Sequence, residues 1–255
     1  MEWLPGHDML ATYGWRLGEG VRITLTLVSL SCVLGFALAI PLCMARRSGN
    51  RILSGAALCY VTFFRGTPLL CQLYIVYYGA GQVRPALDGL GLWVLFREAW
   101  FCCVFAFSLN TAAYQAEIFR GALDAVPRGQ LEAARALGLS RYRVGRHVVW
   151  PQALAVALRP MGNEVIAMVK SSALGAVVTL LDLMGQTRFI FARTFDFSVY
   201  FYCALMYLAL TEALRRVIAA IERAVSPHAV AAPGARGVNG PAATLPAAPA
   251  QALAR

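Results

Sequence analysis

Long apolar runs separated by short clusters of charge are the feature that most constrains how this chain folds. Crossing a bilayer takes about 20 mostly apolar residues, at a helical rise of about 1.5 Å each. Only 14% of the 255 residues are charged, against about 25% in a typical soluble domain. The sequence therefore predicts an all-α polytopic membrane protein with five transmembrane helices, at about residues 21–45, 52–79, 100–119, 151–181 and 197–214.

The arginines predict how these helices are oriented. Residues 46–51, residues 120–150 and the chain after residue 214 carry fourteen arginines, and the segments on the other side carry six. Because positively charged loops stay in the cytoplasm, we expect residues 1–20 to be periplasmic and the C-terminus to be cytoplasmic. Residues 226–255 are rich in Ala, Pro and Gly, which predicts a disordered cytoplasmic tail.

Charge and composition argue against several classes of function. The net charge of +10 comes almost entirely from arginines that flank apolar runs, so we expect no nucleic-acid partner. The seven cysteines all lie within apolar runs and form no C-x-x-C pair, and the three histidines are scattered, so no metal site, cofactor or catalytic residue is expected. The only lysine, Lys170, follows Val169, whereas a P-loop needs Gly before its Lys, so the chain is not expected to be an ATPase.

Residues 120–150, between the third and fourth runs, are basic and have helical patterning. The pattern predicts a helix over residues 130–137. Leu131, Ala134 and Leu137 recur every third residue and are expected to form one apolar stripe along this helix.

Three residues are predicted to shape the chain after this helix. Gly138 is placed to end it, Ser140 to cap a second helix rich in arginine, and Pro151 to begin the fourth run, since proline is tolerated in a first helical turn. The result is a short amphipathic helix–turn–helix. Such a surface either lies on anionic lipid or docks into a partner, and the residues alone leave both open.

The same segment resembles the EAA loop of ATP-binding-cassette (ABC) importer permeases. That motif reads E-A-A-x-x-x-G, nine residues, then I-x-L-P, and this chain matches its spacing with Val148 for Ile and Trp150 for Leu. The resemblance implies a docking element for a separate ATPase, with these coupling residues: Glu132, Ala133, Ala134, Gly138, Arg141 and Pro151.

Further stretches resemble the polar amino-acid importers of that family, such as the permeases for histidine/lysine/arginine/ornithine and for opines. They are Phe64-Arg65-Gly66-Thr67-Pro68-Leu69-Leu70, Asn110-Thr111-Ala112-Ala113-Tyr114, Asn163-Glu164-Val165 and Lys170-Ser171-Ser172. The resemblance covers roughly residues 10–225. It implies a type I ABC importer fold in a bacterial inner membrane and transport of polar, basic amino acids or opines.

The resemblance also implies partners. These are a dimer of ATPase subunits, a periplasmic amino-acid-binding protein, and a second permease subunit that is expected to differ from this one, with a homodimer as the alternative. A self-sufficient channel or secondary transporter is the competing function.

Polar residues inside the runs are candidates for the substrate path, because charge within a membrane usually faces the bundle interior or a wet cavity. Arg65, Asn110 and Glu164 fall at similar depths in three runs. Helical spacing adds neighbours on the same faces, giving this candidate set: Arg65, Gln72, Asn110, Tyr114, Asn163, Glu164, Lys170 and Ser171.

The role of Glu164 is left open by the sequence. It either forms a buried ion pair with Arg65 or receives the amino or guanidinium group of a cationic substrate. Pro160 and Gly162 are expected to interrupt or kink the fourth run beside it.

Overall fold

The computed structural model describes residues 7–225, and all the regular structure in that range is helical. The expected tail at residues 226–255 and the first six residues lie outside this range. Eleven α-helices are described: α1 His7–Arg46, α2 Arg51–Gly66, α3 Leu69–Gln82, α4 Arg84–Gly89, α5 Trp93–Phe96, α6 Ala99–Asp124, α7 Arg128–Ala136, α8 Arg141–Val144, α9 Trp150–Ser171, α10 Leu183–Thr194 and α11 Ser198–Val225. A π-helical turn, Gly145–Val149, precedes α9, and a 3₁₀ helix, Ser172–Val178, follows it.

Helix α1 begins well before the expected first span and continues through it without a break. Its early residues Met9 and Leu17 are buried in an apolar cluster with residues of α10 and α11. Further along, α1 crosses α6 closely at Gly35, where a Cβ atom would come within 2.4 Å of Thr111 Cγ2. Glycine is therefore what allows these two helices to approach.

The second predicted span is wrong as a single helix, because it is divided into α2 and α3 at Thr67 and Pro68. Proline has no N–H to donate and disfavours helical geometry in the residue before it. Thr67 accordingly adopts an extended conformation, with φ −115° and ψ 147°, and ends α2. Pro68 then precedes the first residue of α3.

The fourth predicted span also differs from expectation. Helix α9 continues as α-helix through Pro160, so the expected interruption there is wrong, while a kink stays a prediction. The α-helix instead gives way after Ser171 to the 3₁₀ helix, and Thr179 at its end has a left-handed φ of 66°. The chain therefore changes direction beyond Ser171, before α10 begins.

Two apolar clusters fill the bundle around the candidate residues. One contains Leu27, Leu73, Phe107 and Val169 and joins α1, α3, α6 and α9. The other contains Ala39, Phe119 and Ala153 and joins the later parts of α1 and α6 to the beginning of α9. Helix α6 is thus surrounded, and most of its central residues are buried.

Length and hydropathy single out one stretch of the described chain as able to cross a membrane by itself, Met9–Arg46. A second candidate is the bent pair Arg141–Val178 and Leu183–Thr194, whose axes differ by 47°. The other predicted spans are present as helices, but the split at Pro68 leaves two shorter ones. The span boundaries drawn from the sequence stay a prediction.

Candidate coupling surface and translocation cleft

Helix α7 ends in a motif that depends on Gly138. The Gly138 N–H donates to the Arg135 carbonyl at 2.9 Å, and the Leu139 N–H donates to the Ala134 carbonyl at 3.2 Å. This pair of bonds is the Schellman arrangement, which requires a left-handed residue after the helix. Gly138 supplies it with φ of 74°, so the predicted helix end is confirmed.

The second half of the predicted helix–turn–helix is also present. The Ser140 hydroxyl accepts a hydrogen bond from the Arg143 N–H at 3.4 Å and caps α8. The chain then passes through the π-helical turn into α9, whose first turn contains Pro151. The local signals in the sequence were therefore sufficient to place both helices.

The three residues of the expected apolar stripe on α7 differ in exposure. Ala134 is buried and Leu131 packs against the cluster around Phe119, but the Leu137 side chain is 82% exposed. The predicted apolar stripe is therefore divided, with Leu131 and Ala134 packed against the bundle and Leu137 exposed where the helix ends. Five of the exposed residues of the segment are called the coupling surface: Glu132, Ala133, Leu137, Gly138 and Arg141.

A polar contact attaches α7, which carries most of the coupling surface, to the bundle. The Gln152 side chain of α9 donates to the Gln130 side chain of α7 at 2.5 Å. Near the ends of α1 and α6, Glu117 of α6 pairs with Arg46 of α1 at 3.2 Å and with Arg120 at 2.8 Å.

Asp124 extends this group, which we call the ion-pair network, by pairing with Arg120 at 3.0 Å and with Arg47. The hydrogen bond to Glu117 raises the pKa of the Arg120 guanidinium above its ordinary value. The ends of α1 and α6 are therefore tied together next to the beginning of α7.

A cleft of about 300 Å³ lies where α3, α6 and α9 meet. It brings together four of the predicted path residues, Asn110, Tyr114, Glu164 and Ser171, and the break between α2 and α3 supplies another wall. Its full lining is Thr67, Pro68, Leu69, Asn110, Tyr114, Glu164, Ala167, Met168 and Ser171. We call this the translocation cleft.

Asn110 and Gln72 hold the wall formed by the helix break. The Gln72 amide donates to the Phe64 carbonyl at 3.0 Å and to the Thr67 carbonyl at 3.1 Å. The Asn110 amide donates to the same Phe64 carbonyl at 3.1 Å and to the Gln72 side-chain oxygen at 3.0 Å. These bonds satisfy carbonyl groups that lack helical partners around Pro68.

Glu164 is bonded to α6 rather than to Arg65. The Thr111 hydroxyl donates to the Glu164 carboxylate at 2.9 Å, and the Gln115 amide donates to the Thr111 hydroxyl at 3.1 Å. The Arg65 guanidinium instead lies over the Tyr114 ring, 5.3 Å from its centre. The sequence left open an ion pair between Arg65 and Glu164, and this pair is not formed within residues 7–225.

Two predicted path residues lie elsewhere. Asn163 and Lys170 are exposed on α9, and neither is among the residues that line the translocation cleft. Because seven residues separate them, they share a helix face, but it is a different face from that of Glu164.

Sequence reasoning missed Thr111, Gln115 and a buried polar group at the start of α10. Asp182 is fully buried, caps α10 by accepting from the Gly185 N–H at 2.9 Å, and accepts from the Tyr207 hydroxyl at 3.4 Å. An Asp directly before a helical segment is a recognised capping signal and could have located this one. No comparable local signal marks the Thr111–Glu164 bond.

Comparison with known proteins identifies the class of molecule in which this geometry occurs. The sequence model of a family described as the inner membrane component of binding-protein-dependent transport systems matches residues 32–227. The chain belongs to this family. Members of the family are the permease subunits of ABC importers, so this chain is a permease subunit. ATP hydrolysis belongs to a separate subunit.

Relatives and a solved structure agree with this assignment. The permease is 40% identical to the nopaline transport system permease protein NocM of Agrobacterium fabrum over 84% of this chain and 89% of that one. It is 39% identical to the histidine/lysine/arginine/ornithine transport system permease protein HisM of Escherichia coli over 83% and 88%. A crystal structure of an amino acid ABC transporter with histidines superposes with a TM-score of 0.76, at 32% identity, over 85% of this chain and 97% of that chain.

The family assignment confirms the all-α polytopic membrane fold of a type I ABC importer and the resemblance based on the EAA loop. It does not favour the self-sufficient channel or secondary transporter. The permease is an inner-membrane component that works with an ATPase and further subunits.

Proposed function

We propose that this permease subunit imports basic amino acids or opines that a periplasmic binding protein delivers. A dimer of ATPase subunits drives it by docking on the coupling surface. A second, non-identical permease subunit completes the path through the membrane, with a homodimer as the alternative. The N-terminus is periplasmic and the C-terminus cytoplasmic, as the distribution of arginines favours.

The observation that carries this proposal is the coupling surface itself. Ala134 is buried, while Glu132, Ala133 and the largely exposed Leu137 face away from the bundle. A short amphipathic helix that presents both apolar and charged groups is suited to a groove on a partner protein. Its attachments to α1, α6 and α9 connect that partner mechanically to the helices around the translocation cleft.

The substrate class is supported by Glu164. It is the one acidic residue that lines the translocation cleft, and a carboxylate in a partly dry site binds an amino or guanidinium group through charge-assisted hydrogen bonds. The relatives named for nopaline and for histidine, lysine, arginine and ornithine point to substrates with such groups.

Charge reversal on the coupling surface tests the proposal. We expect Glu132→Lys, and separately Gly138→Leu, to abolish uptake of radiolabelled substrate, because the first reverses a contact charge and the second destroys the left-handed turn. Both variants should still be found in the membrane fraction. The amount of ATPase subunit that copurifies with the permease should fall.

Arg51→Gln is the matched control, because Arg51 is exposed at the beginning of α2 on the same predicted side of the membrane, outside the coupling surface. Normal uptake by either test variant would contradict the proposed docking role, whereas loss of uptake in the control would show that the effect is not specific to this surface.

A further inference from the structure

Two clefts adjoin each other beside the coupling surface. One has a volume of about 280 Å³ and is lined by Phe36, Ile40, Cys43, Met44, Arg47, Phe119, Leu123, Trp150 and Leu154. The other has a volume of about 670 Å³ and is lined by Arg141, Tyr142, Gly145, Arg146, His147, Trp150, Pro151 and Leu154. Because Trp150 and Leu154 line both, the two clefts lie side by side, and together they are called the groove.

The first part of the groove is apolar. Its walls come from the later residues of α1 and α6 and from the beginning of α9. Met44 is 68% exposed and Trp150 is 43% exposed, so apolar side-chain surface is exposed in this cleft. Arg47 is the only charged residue in its lining, and that guanidinium is already paired with Asp124.

The second part of the groove is basic. Arg141 and Arg146 are exposed, and neither forms an ion pair within residues 7–225. His147 lies next to them in the lining, which contains no acidic residue. Uncompensated positive charge therefore lies beside an apolar cleft.

We propose that this groove binds an anionic phospholipid of the cytoplasmic leaflet. An acyl chain fits the apolar part, and a phosphate-bearing headgroup fits Arg141 and Arg146, since guanidinium groups bind phosphate through paired N–H donors. Trp150 lies at the junction, and an indole prefers the boundary between hydrocarbon and polar groups. The EAA motif has Leu at this position, where this chain has the larger Trp150.

The ATPase is the competing occupant, and the lining argues against it. Glu132, Ala133 and Leu137 of the coupling surface contribute to neither cleft. Of the predicted coupling residues, only Arg141 and Pro151 line the groove. The lipid would thus bind next to the docked ATPase. The inference takes the leaflet from the proposed orientation, but the lipid site does not depend on substrate transport.

Lipid retention by the purified complex tests the site. The complete transporter is incorporated into bilayers of phosphatidylcholine and phosphatidylglycerol, extracted in detergent, and analysed for bound lipid by mass spectrometry. We expect phosphatidylglycerol to be retained in preference to phosphatidylcholine. Arg146→Gln should weaken that retention about fivefold, the factor equivalent to the roughly 1 kcal/mol that one basic residue contributes near an anionic surface.

Arg143→Gln is the matched control, because Arg143 is an exposed arginine of the neighbouring helix α8 that does not line the groove. Unchanged phosphatidylglycerol retention by this variant, with loss by Arg146→Gln, supports the site. Equal retention of both lipids, or equal losses in the two variants, overturns it. Loss of the ATPase subunit from the Arg146→Gln complex with lipid retention intact also overturns it and assigns the groove to the ATPase.

Failure of the proposed transport function would be seen separately, as normal uptake by Glu132→Lys. Lipid retention is measured without any transport, so each proposal can fail without the other.

Discussion

Asn110 and Glu164 both line the translocation cleft, but their hydrogen bonds give them different roles. The Asn110 side-chain NH₂ donates both of its hydrogen bonds at the helix break, one to the Phe64 carbonyl and one to the Gln72 side-chain oxygen. Glu164 receives one hydrogen bond, from Thr111, and a carboxylate can accept several. Asn110 therefore maintains the shape of the cleft, while Glu164 retains acceptor capacity for a cationic ligand.

At this scale we expect Glu164→Gln to raise the KM for a basic substrate at least tenfold while leaving the amount of folded subunit unchanged. Glutamine keeps an oxygen for the Thr111 hydroxyl but loses the charge, and a hydrogen bond to a charged group contributes about 1.5–3 kcal/mol. Two quantities are measured: the uptake rate as a function of substrate concentration, and the thermal stability of the purified complex.

Asn163→Ala provides the comparison for Glu164→Gln, since its neighbour Asn163 is exposed outside the cleft. We expect its KM to be unchanged. A normal KM in Glu164→Gln, or a lowered stability with normal transport, would contradict the substrate role and leave Glu164 as a structural partner of α6.

Among the helices, α7 ends in a turn whose shape depends on a single residue, Gly138. Its Schellman motif reverses the chain between Ala134, which is buried, and the exposed start of α8. Nothing lies within 4 Å of a Cβ atom added at Gly138, so the requirement for glycine is conformational rather than steric.

We therefore expect Gly138→Ala to destabilise the end of α7 by about 1–2 kcal/mol, the cost of a left-handed L-residue. Gly129→Ala, inside α7 and equally uncrowded, should stabilise the helix by about 0.5–1 kcal/mol instead. Hydrogen–deuterium exchange of the segment measures both. Equal protection in the two variants would show that Gly138 does not need its left-handed geometry.

Across the whole molecule, Leu131 packs α7 against α6, and the ion-pair network joins α6 to α1. Glu117 links Arg46 of α1 to Arg120 of α6, and α6 also carries Asn110 and Thr111 in the middle of the bundle. A displacement of α7 would therefore be transmitted to the helix that forms a wall of the translocation cleft.

This arrangement has a use only if a partner moves α7, so transport should require the ATPase. We expect proteoliposomes with the complete transporter to accumulate substrate with ATP, and those lacking the ATPase subunit to show only background uptake. Collapsing ion gradients with an ionophore should leave ATP-driven uptake unchanged. Uptake without the ATPase, or uptake that follows an ion gradient, would instead favour the self-sufficient transporter.

The sequence by itself determined the features that depend on neighbouring residues. Apolar runs long enough to span a bilayer predicted an all-α membrane protein, and the caps at Gly138 and Ser140 placed α7 and α8 correctly, because these signals act within one or two helical turns. Even the split at Pro68 follows from local stereochemistry, although run length alone concealed it.

Only the tertiary structure decided which polar residues meet. Equal depth in the membrane suggested that Arg65 and Glu164 pair, but rotation of α2 and α9 about their axes places Arg65 over Tyr114 and Glu164 beside Thr111. The groove at Trp150 likewise requires α1, α6 and α9 to converge. Helix rotation and crossing are fixed by packing between residues far apart in the chain, and helical spacing within a single run carries no information about either.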